Sequence, residues 1–400
     1  MSQRETHTVP TILFGAFDRH NFGDLLFPHI VAALLERDDL VFAGLAERDL
    51  RAFGGHEVHA LAHLAAQYGN RKVNIVHAGG ELLACNAWEA AVMLQPPGHV
   101  GYPAFQTAEG EAWARQTLGV TSLAPYTVPH ELLPKAASII YNAVGGMDLD
   151  KREPALRQEV LARLRTADAV GVRDRLTQAL LRANGIDARL LPDCAVMVAE
   201  LFGARIRAHA QGGNVARVQR AFPQGYVAVQ FSADFGEEGT LAAVAAQLDR
   251  VAASSGLGIV FFRAGAAPWH DDLSCYRHVA ARMQTPSCIV ESLGLWDICA
   301  AIAGSRAYLG SSLHGRILAM AFALPRLNLR HPSHPVGATK PSAFADTWEA
   351  PGTTTVAAVH EIADALQEAM AVKRDTLAQT AARLVAEYRA GFAALCMALK

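Results

Sequence analysis

Short runs of apolar residues alternate with longer stretches of helical periodicity along most of the chain. In the first half, helices are predicted to begin near Asp24, Glu81 and Asp174, and the apolar runs predict strands at residues 9–17, 41–45, 73–77, 138–144, 169–172 and 188–191. This order is typical of a parallel sheet with crossover helices, because strands that are buried on both faces are continuously apolar. Residues 1–205 therefore predict one doubly wound α/β lobe.

The alternation is interrupted once and then resumes. Residues 206–225 are rich in Arg, Gly and Gln and lack a clear strand, which predicts a linker. A second doubly wound lobe is predicted over 226–358, with strands at 226–231, 258–263, 288–290, 307–309 and 326–329. The remaining residues, 359–400, predict an amphipathic helix that breaks near Val372 and packs back on the lobes. We therefore expect two Rossmann-like α/β lobes that face each other across a cleft.

The composition excludes several classes of protein. An apolar fraction of 51% with 18% charged residues is typical of a folded chain and not of a disordered one. A net charge of -2 creates no overall field that attracts nucleic acid or an anionic membrane. No apolar run approaches the ~20 uncharged residues that cross a bilayer, and residues 1–8 are too polar for a secretion signal. We expect a cytoplasmic protein without a transmembrane segment or a nucleic-acid partner.

The segments that follow the predicted strands are the candidate site, because ligands in open parallel sheets bind outside the carboxyl ends of the strands. The first such segment brings Asn21, Gly23 and Asp24 to the start of a helix. A glycine there allows the backbone to approach a ligand. Asp24 has two alternative roles, either as the N-cap of the helix or as a general base or hydrogen-bond acceptor for a substrate hydroxyl.

Two more strand ends carry charged residues. Arg173 follows the strand at 169–172, and its planar set of donors suits phosphate or carboxylate. The alternative is a surface arginine that pairs with a neighbouring carboxylate. Asp193, in the dipeptide Pro192-Asp193, predicts a turn with a helix cap or, less often, a ligand contact.

The segment 309–317 is the most informative of the chain, because a strand runs through small residues into a helix. Ser311 or Ser312 can cap that helix, and the free N–H groups of its first turn form a ready anion site. His314 and Arg316 follow at once, and we expect both to reach the same anion. The alternative for His314 is a hydrogen-bonded packing residue. Two weaker candidates, Arg263 and Glu291, follow other strands of the second lobe.

Several well-known motifs are absent from the sequence. There is no G-x-x-x-x-G-K-[ST] phosphate loop, no G-x-G-x-x-G after a strand and no G-x-S-x-G nucleophile elbow. The six cysteines form no C-x-x-C pair, which favours reduced thiols over a zinc site. No sequence motif therefore supports a function as a nicotinamide enzyme, a P-loop enzyme or a serine hydrolase.

Five of these segments occur in an order that resembles the polysaccharide pyruvyl transferase family. The likeness runs from about residue 11 to 330 and is carried by Asn21-Phe-Gly-Asp24, Gly79-Gly80, Gly171-Val-Arg-Asp174, Pro192-Asp193 and Ser312-Leu-His-Gly-Arg-Ile-Leu-Ala319. Each motif alone is weak, but five in sequence with suitable spacing are fairly specific. The resemblance implies a GT-B-like fold and transfer of a pyruvyl group from phosphoenolpyruvate to a sugar, which forms a ketal without a metal or other cofactor.

The resemblance also implies roles for individual residues. His314 would be the acid or a phosphate ligand, Arg173 a clamp on the donor, and Asp24 the base on the acceptor side. The second lobe would hold the donor phosphate through Ser311, Ser312, Gly315, Arg316, Arg263 and Glu291. The first lobe would shape the acceptor side through Asn21, Gly23, Gly79, Gly80 and Asp193. The partners implied are phosphoenolpyruvate and a glycan, the latter reached by peripheral contact if it is lipid-linked.

One departure from the family pattern keeps two alternatives open. Well-studied members often carry Arg two residues before this histidine, where the present chain has Ser312. Unless Arg316 or Arg263 supplies that charge, a lost charge-assisted contact would weaken anion binding by ~1.5–3 kcal/mol. A GT-B glycosyltransferase that uses a nucleotide sugar, with Glu291 near a ribose, is the first alternative. A non-catalytic descendant that binds an anionic sugar or a partner protein is the second.

Overall fold

Two sheets organise the chain in the computed structural model, which describes residues 9–96, 99, 101–333, 339–350 and 354–400. The first sheet contains β1 (Thr11–Phe14), β2 (Leu40–Gly44), β3 (Arg48–Asp49), β4 (Glu57–Ala60), β5 (Val73–His77), β6 (Ala136–Val144), β7 (Ala169–Val172) and β8 (Arg189–Leu190). The second contains β9 (Tyr226–Gln230), β10 (Gly258–Phe262), β11 (Ser287–Val290), β12 (Ala307–Gly310), β13 (Arg326–Leu329) and β14 (Val356–Ala357). The polar segment 1–8 lies outside the described residues.

The strand orders show how each sheet is wound. The first is β3-β4-β2-β1-β5-β6-β7-β8 and the second is β11-β10-β9-β12-β13-β14. Among the described strands, every pairing is parallel except that of β3 with β4. In each lobe the chain begins at a central strand and builds outward in both directions. The expectation of two doubly wound α/β lobes is therefore confirmed.

The helices cover the faces of the two sheets. They are α1 (Phe22–Leu35), α2 (Leu61–Tyr68), α3 (Ala87–Met93), α4 (Ala108–Leu118), α5 (Pro154–Arg165), α6 (Arg175–Ala183), α7 (Val198–Ala210), α8 (Gly213–Ala221), α9 (Glu238–Ser255), α10 (Leu273–Arg282), α11 (Leu295–Ala303), α12 (Leu313–Ala321), α13 (Lys340–Trp348), α14 (Ile362–Ala371) and α15 (Arg374–Cys396). Within the described part of the chain, none of them is both long and apolar enough to span a bilayer.

One predicted helix begins later than the apolar pattern indicated. Residues 81–86 are irregular, and α3 starts only at Ala87. The backbone of this segment is held elsewhere, since the Leu83 N–H donates to the Gly145 carbonyl at 3.1 Å. Asn86 then begins the helix, because its side chain accepts from the Glu89 N–H while the Glu89 carboxylate accepts from the Asn86 N–H.

The two lobes are joined by helices and by a shared core. The stretch 206–225, expected as a linker, is largely helical: it contains the end of α7 and all of α8. At the other end of the chain, a break at Val372 and Lys373 separates α14, which packs on α9, from α15, which returns to β6 and β7. A single apolar cluster, which includes Phe22, Trp296 and Phe392, spans both lobes and α15.

Candidate functional site

A cavity of about 340 Å³ lies between the lobes, at the carboxyl ends of strands from both sheets. We call it the cleft cavity. The first lobe contributes the residues that follow β1, β5, β6 and β7, and the second contributes those that follow β10, β12 and β13. The side chains that carry chemistry are Arg19, Asn21, Asp24, Glu81, Glu89, Asp148, Arg152, Arg173, Trp269, His270, Ser312, His314 and Lys340.

Asp24 faces the cleft cavity and does not cap its helix. The N-cap of α1 is Asn21, whose side-chain oxygen accepts from the N–H groups of Gly23 at 3.0 Å and Asp24 at 3.4 Å. The capping interpretation of Asp24 is therefore wrong, because the helix begins at Phe22, two residues earlier than Asp24. The Asp24 carboxylate instead lies 3.5 Å from Nη2 of Arg19 and stays almost fully buried.

Asn21 also connects the lobes. Its amide nitrogen lies 2.8 Å from Nε2 of His270, and Nδ1 of that ring lies 3.1 Å from the Pro268 carbonyl. A carbonyl only accepts, so Nδ1 carries the proton and Nε2 accepts from the Asn21 amide. Burial lowers the pKa of His270, which agrees with this neutral tautomer.

His314 lies in the first turn of α12 and packs directly on α1. Its ring meets the ring of Phe27 edge-on, with 5.1 Å between the centroids. A β-carbon on residue 23 would overlap the imidazole and lie 2.6 Å from the His314 Cβ, so only glycine fits there. Nε2 is buried and has no hydrogen-bond partner among the described residues. The packing interpretation of His314 therefore accounts for one face of the ring but provides no hydrogen bond to Nε2, which lies 3.8 Å from Oδ2 of Asp193.

Arg173 is buried between two carboxylates. Its Nη2 donates to Glu81 at 2.7 Å and its Nη1 to Asp193 at 3.0 Å. Burial alone would lower the pKa of Arg173, but these two charges outweigh it and raise that pKa. The surface-pair interpretation of Arg173 is therefore wrong, because both the guanidinium and the Asp193 carboxylate are closed to solvent.

Asp193 connects Arg173 to His314. It caps the short 3-10 helix 194–197 through the Ala195 N–H, as the turn predicted, and its Oδ2 lies 3.8 Å from Nε2 of His314. Burial would raise the pKa of Asp193, but the nearby His314 and Arg173 hold it below its ordinary value. This carboxylate therefore stabilises positive charge at the edge of the cleft cavity.

Hydrogen bonds with Gln230 and Ser232, two residues that were not predicted from the sequence, fix the start of α12. Ser312 is the N-cap and accepts from the Gly315 N–H at 3.2 Å, while its own N–H donates to Oε1 of Gln230 at 2.9 Å. Ser311 accepts from the Ser232 N–H at 3.1 Å. Gln230 in turn donates to Asp271, a carboxyl whose pKa burial raises to about 7. The Ser312 N–H, which belongs to the expected anion site, therefore already donates a hydrogen bond within the protein.

Arg316 does not point into the cleft cavity. Its guanidinium is fully buried, where it forms an ion pair with Glu349 and donates to Asn328 and to the Thr355 carbonyl, both at 3.0 Å. The expectation that Arg316 and His314 reach the same anion is therefore wrong. Two residues apart on a helix, their side chains point about 200° apart.

Arg263 and Glu291, the two weaker candidates, do not line the cleft cavity either. Glu291 is exposed on the surface, where it pairs with Arg277 at 2.7 Å. Its expected place near a ribose in the cleft is not found. Arg263 is partly buried beside His20 and Asp271, and its Nε has no hydrogen-bond partner in the described part of the chain.

Gly79 and Gly80 turn the chain at the end of β5. Both have positive φ, 115° and 95°, which disfavours any side chain. A β-carbon on Gly80 would lie 3.4 Å from Oδ1 of Asp24 and 3.2 Å from the Phe27 ring. The turn therefore lets the backbone pass close to Asp24. That these glycines shape the acceptor side stays a prediction.

Three cationic side chains that line the cleft cavity, those of Arg19, Arg152 and Lys340, were not predicted from the sequence. Arg19 donates to the Tyr126 hydroxyl at 3.2 Å and Arg152 to Glu89 at 2.8 Å, yet Nε of each is buried without a partner among the described residues. Lys340 is exposed at the start of α13 and has no ion pair within the described ranges. Arg19 lies two residues before the motif Asn21-Phe-Gly-Asp24, whereas nothing in the sequence near Arg152 or Lys340 indicated a site.

The cavity thus offers unsatisfied cationic N–H donors beside carboxylates. A guanidinium carries five N–H groups, so an arginine paired with one carboxylate keeps donors for an anion. Because His314 and Asp24 both line the cavity, the arrangement can bind an anion and offers two groups that can transfer protons beside it. Among the described residues, no group of three or more His, Cys, Asp or Glu side chains has a geometry that holds a metal ion.

The fold is shared with solved structures of sugar-nucleotide enzymes. UDP-GlcNAc 2-epimerase from Methanocaldococcus jannaschii is similar with a TM-score of 0.56 at 11% identity, over 95% of this chain and 99% of that one. A putative UDP-N-acetylglucosamine 2-epimerase from Listeria monocytogenes gives 0.54 at 11% identity, over 96% and 97%. The enzyme from Neisseria meningitidis bound to UDP-GlcNAc gives 0.51 at 11%, over 95% and 99%. These likenesses show a GT-B fold.

Sequence comparison gives a family but no individual relative. No curated protein matches the chain. The family model described as polysaccharide pyruvyl transferase matches residues 131–333, just over half of the 400 residues. That stretch holds β7 with Arg173, the Pro192-Asp193 turn, and the α12 start with His314. The chain therefore belongs to the polysaccharide pyruvyl transferase family and is a transferase.

Proposed function

We propose that the protein transfers the pyruvyl group of phosphoenolpyruvate to two hydroxyls of one sugar in a glycan or glycan precursor, which forms a ketal and releases phosphate. The observation that carries the proposal is the cleft cavity itself. It brings unsatisfied N–H donors of Arg19 and Arg152 together with His314, whose Nε2 has no hydrogen-bond partner within the described residues. A donor with both a phosphate and a carboxylate needs such preorganised cationic donors.

In the proposed reaction, the first sugar hydroxyl attacks C2 of the donor while Asp24 takes its proton. His314 gives a proton to C3, so the methylene becomes a methyl group. The C2–O bond to phosphate then breaks, the second hydroxyl attacks C2, and its proton leaves with the phosphate. Solvent returns the proton from Asp24 to His314. An acid and a base in these positions each contribute typically 10²–10⁴-fold.

Cations other than an arginine at position 312 can bind the donor. Arg316 is committed to Glu349 in the core, and Arg173 to two carboxylates. We assign the phosphate and carboxylate contacts to Arg19, Arg152 and Lys340, with Arg173 fixing Asp193 beside His314. Arg173 thus acts on the donor side as a positioning residue and not as a direct clamp.

The first experiment is a thermal-shift titration with phosphoenolpyruvate, using Arg19→Ala as the test variant. Donor at 100 times its dissociation constant should stabilise the wild type by about 2.7 kcal/mol. We expect no shift in Arg19→Ala. Arg71→Ala is the matched control, because Arg71 lies over the Tyr68 ring at 5.2 Å much as Arg19 lies over Tyr126 at 5.5 Å, but outside the cavity; it should keep the shift.

Two further measurements distinguish pyruvyl transfer from glycosyl transfer and from non-catalytic glycan binding. A shift with nucleotide sugars but not with phosphoenolpyruvate would favour glycosyl transfer, although Glu291, the residue expected near a ribose, lies on the surface. No shift with either donor, even with a glycan panel present, and no phosphate release would favour a non-catalytic glycan-binding protein. Phosphate release with formation of a pyruvyl ketal, seen by mass spectrometry, is the result that the proposal requires.

A further inference from the structure

A second cavity opens beside the cleft cavity on the first lobe. Its volume is about 580 Å³, and its walls include Trp88, Phe105, Gln106, Glu111 and Arg115. We call it the aromatic cavity. Arg152 lines both cavities, so they adjoin at this side chain. No residue of the reaction proposed above other than Arg152 belongs to the aromatic cavity.

A row of aromatic rings leads from one cavity to the other. The Trp269 ring at the cleft cavity lies 5.4 Å from that of Trp88, centroid to centroid, and Trp88 lies 5.2 Å from Phe105. Trp269 comes from the second lobe and Trp88 from the first, so the row crosses the mouth of the cleft. The Trp88 indole N–H is anchored, since it donates to the Pro103 carbonyl at 2.8 Å.

Two of these three rings are exposed to an extent that a packing role does not explain. Trp269 is 47% exposed and Phe105 45%. In the described residues only five large apolar side chains are at least 41% exposed. Of these, Trp269 lines the cleft cavity, whereas Phe105 and Leu123 line the aromatic cavity. Trp269 moreover has a φ of 65°, which is costly for a bulky residue and typical of functional positions. The cluster therefore indicates a binding surface.

The polar groups among the rings indicate which class of ligand fits. Glu111 pairs with Arg115 at 3.7 Å, and Gln106 donates to Glu153 at 3.3 Å, so the charges are largely balanced. Flat apolar rings with hydrogen-bonding groups around them match the ring of a sugar, which has apolar C–H faces and hydroxyls at its edge. A lipid chain would bury these polar groups without forming a hydrogen bond to any of them.

We propose that the aromatic cavity, together with Trp269 at the adjoining cleft cavity, binds the sugar residues of the acceptor glycan that adjoin the reacting one, with Trp269, Trp88 and Phe105 stacking on successive sugar rings. This rests on the proposed function, which makes a glycan the acceptor. The row of aromatic rings then holds the glycan so that one of its terminal or branch sugars enters the cleft cavity beside Asp24. The protein would accordingly favour oligosaccharides over single sugars.

The test is binding of the full chain to an array of neutral oligosaccharides, without donor, followed by titration of the best one. We expect Phe105→Ala and Trp269→Ala to weaken binding about tenfold or more, as for other aromatic anchors. Leu176→Ala, which removes an equally exposed apolar side chain outside both cavities, should leave binding unchanged. Circular dichroism confirms that each variant is folded.

The possible outcomes test glycan binding by the aromatic cavity independently of which donor the protein uses. His314→Gln should bind the oligosaccharide as wild type does, so loss of pyruvyl transfer alone would not affect the inference. Absence of binding to any oligosaccharide, equal binding by Phe105→Ala, or displacement of the oligosaccharide by UDP would overturn it. If turnover occurs, Phe105→Ala should raise KM for a tetrasaccharide acceptor and leave KM for a monosaccharide unchanged.

Discussion

The imidazole of His314 occupies the space that a side chain on residue 23 would need, so Gly23 and His314 form one contact between the lobes. The glycine lies in the first turn of α1 and the histidine in the first turn of α12. Through this contact, the start of each helix fixes the position of the other. Asp24 and His314, the proposed base and acid, are thus held by the same backbone approach.

Gly23→Ala should therefore displace His314. We expect kcat for pyruvyl transfer to fall about 100-fold, as for other misplacements of about 1 Å, and overpacking to lower the free energy of unfolding by ~1–3 kcal/mol. Kinetics and urea unfolding measure the two effects. Gly212→Ala is the control, since a β-carbon there meets no atom within 4 Å; equal behaviour of the two variants would contradict the contact.

Arg173→Met should destabilise the protein through unpaired buried charge. The variant leaves Glu81 and the buried Asp193 without their cation, and we expect the free energy of unfolding to fall by ~3–5 kcal/mol in urea titrations. Arg250→Met breaks an exposed pair with Asp364 of 2.9 Å and should cost less than about 1 kcal/mol. A similar loss in both variants would show that Arg173 is not enclosed.

Asn21→Asp should make stability depend on the protonation of His270. Aspartate still caps α1, but its carboxylate now meets the unprotonated Nε2 of His270, so the pKa of that histidine rises. A raised histidine pKa adds stability that is present at low pH and is lost as pH rises through it. The variant should thus lose more stability, relative to wild type, at pH 8 than at pH 5. Asn86→Asp, a cap without a histidine partner, should show no such trend.

His77→Gln should reduce the loss in the free energy of unfolding that the wild type shows as the pH falls below 6.5. Burial lowers the pKa of His77 to about 3, so the wild type holds it neutral and loses stability as pH falls from the unfolded value near 6.5 toward 3, by up to about 1.4 kcal/mol per pH unit. Glutamine can replace the contacts of His77 with the Ile140 carbonyl and the Val128 N–H but does not titrate. Unfolding in urea between pH 7 and 4 gives the slopes; His63→Gln, exposed on α2, should keep that of wild type.

Much of the fold could be predicted from the order of apolar runs. The strands at 73–77, 169–172 and 326–329 match the structure at both ends, because central strands of parallel sheets are buried on both faces and read as unbroken apolar segments. The two-residue strands β3 and β14 were not predicted. β3, for example, consists of two exposed charged residues, Arg48 and Asp49, and therefore carries no apolar pattern.

By itself the sequence determined which segments end at the cleft, since strand order and motif position bring residues 21–24, 173, 193 and 312–314 to the carboxyl edges of two sheets. Only the tertiary structure decided which side chains face the cavity. Arg316 lies two residues from His314 but points into the core, while Arg152 and Lys340 come from segments that carry no motif. The direction of a side chain depends on its helix face and on partners distant in sequence, such as Glu349 for Arg316, and local pattern carries neither.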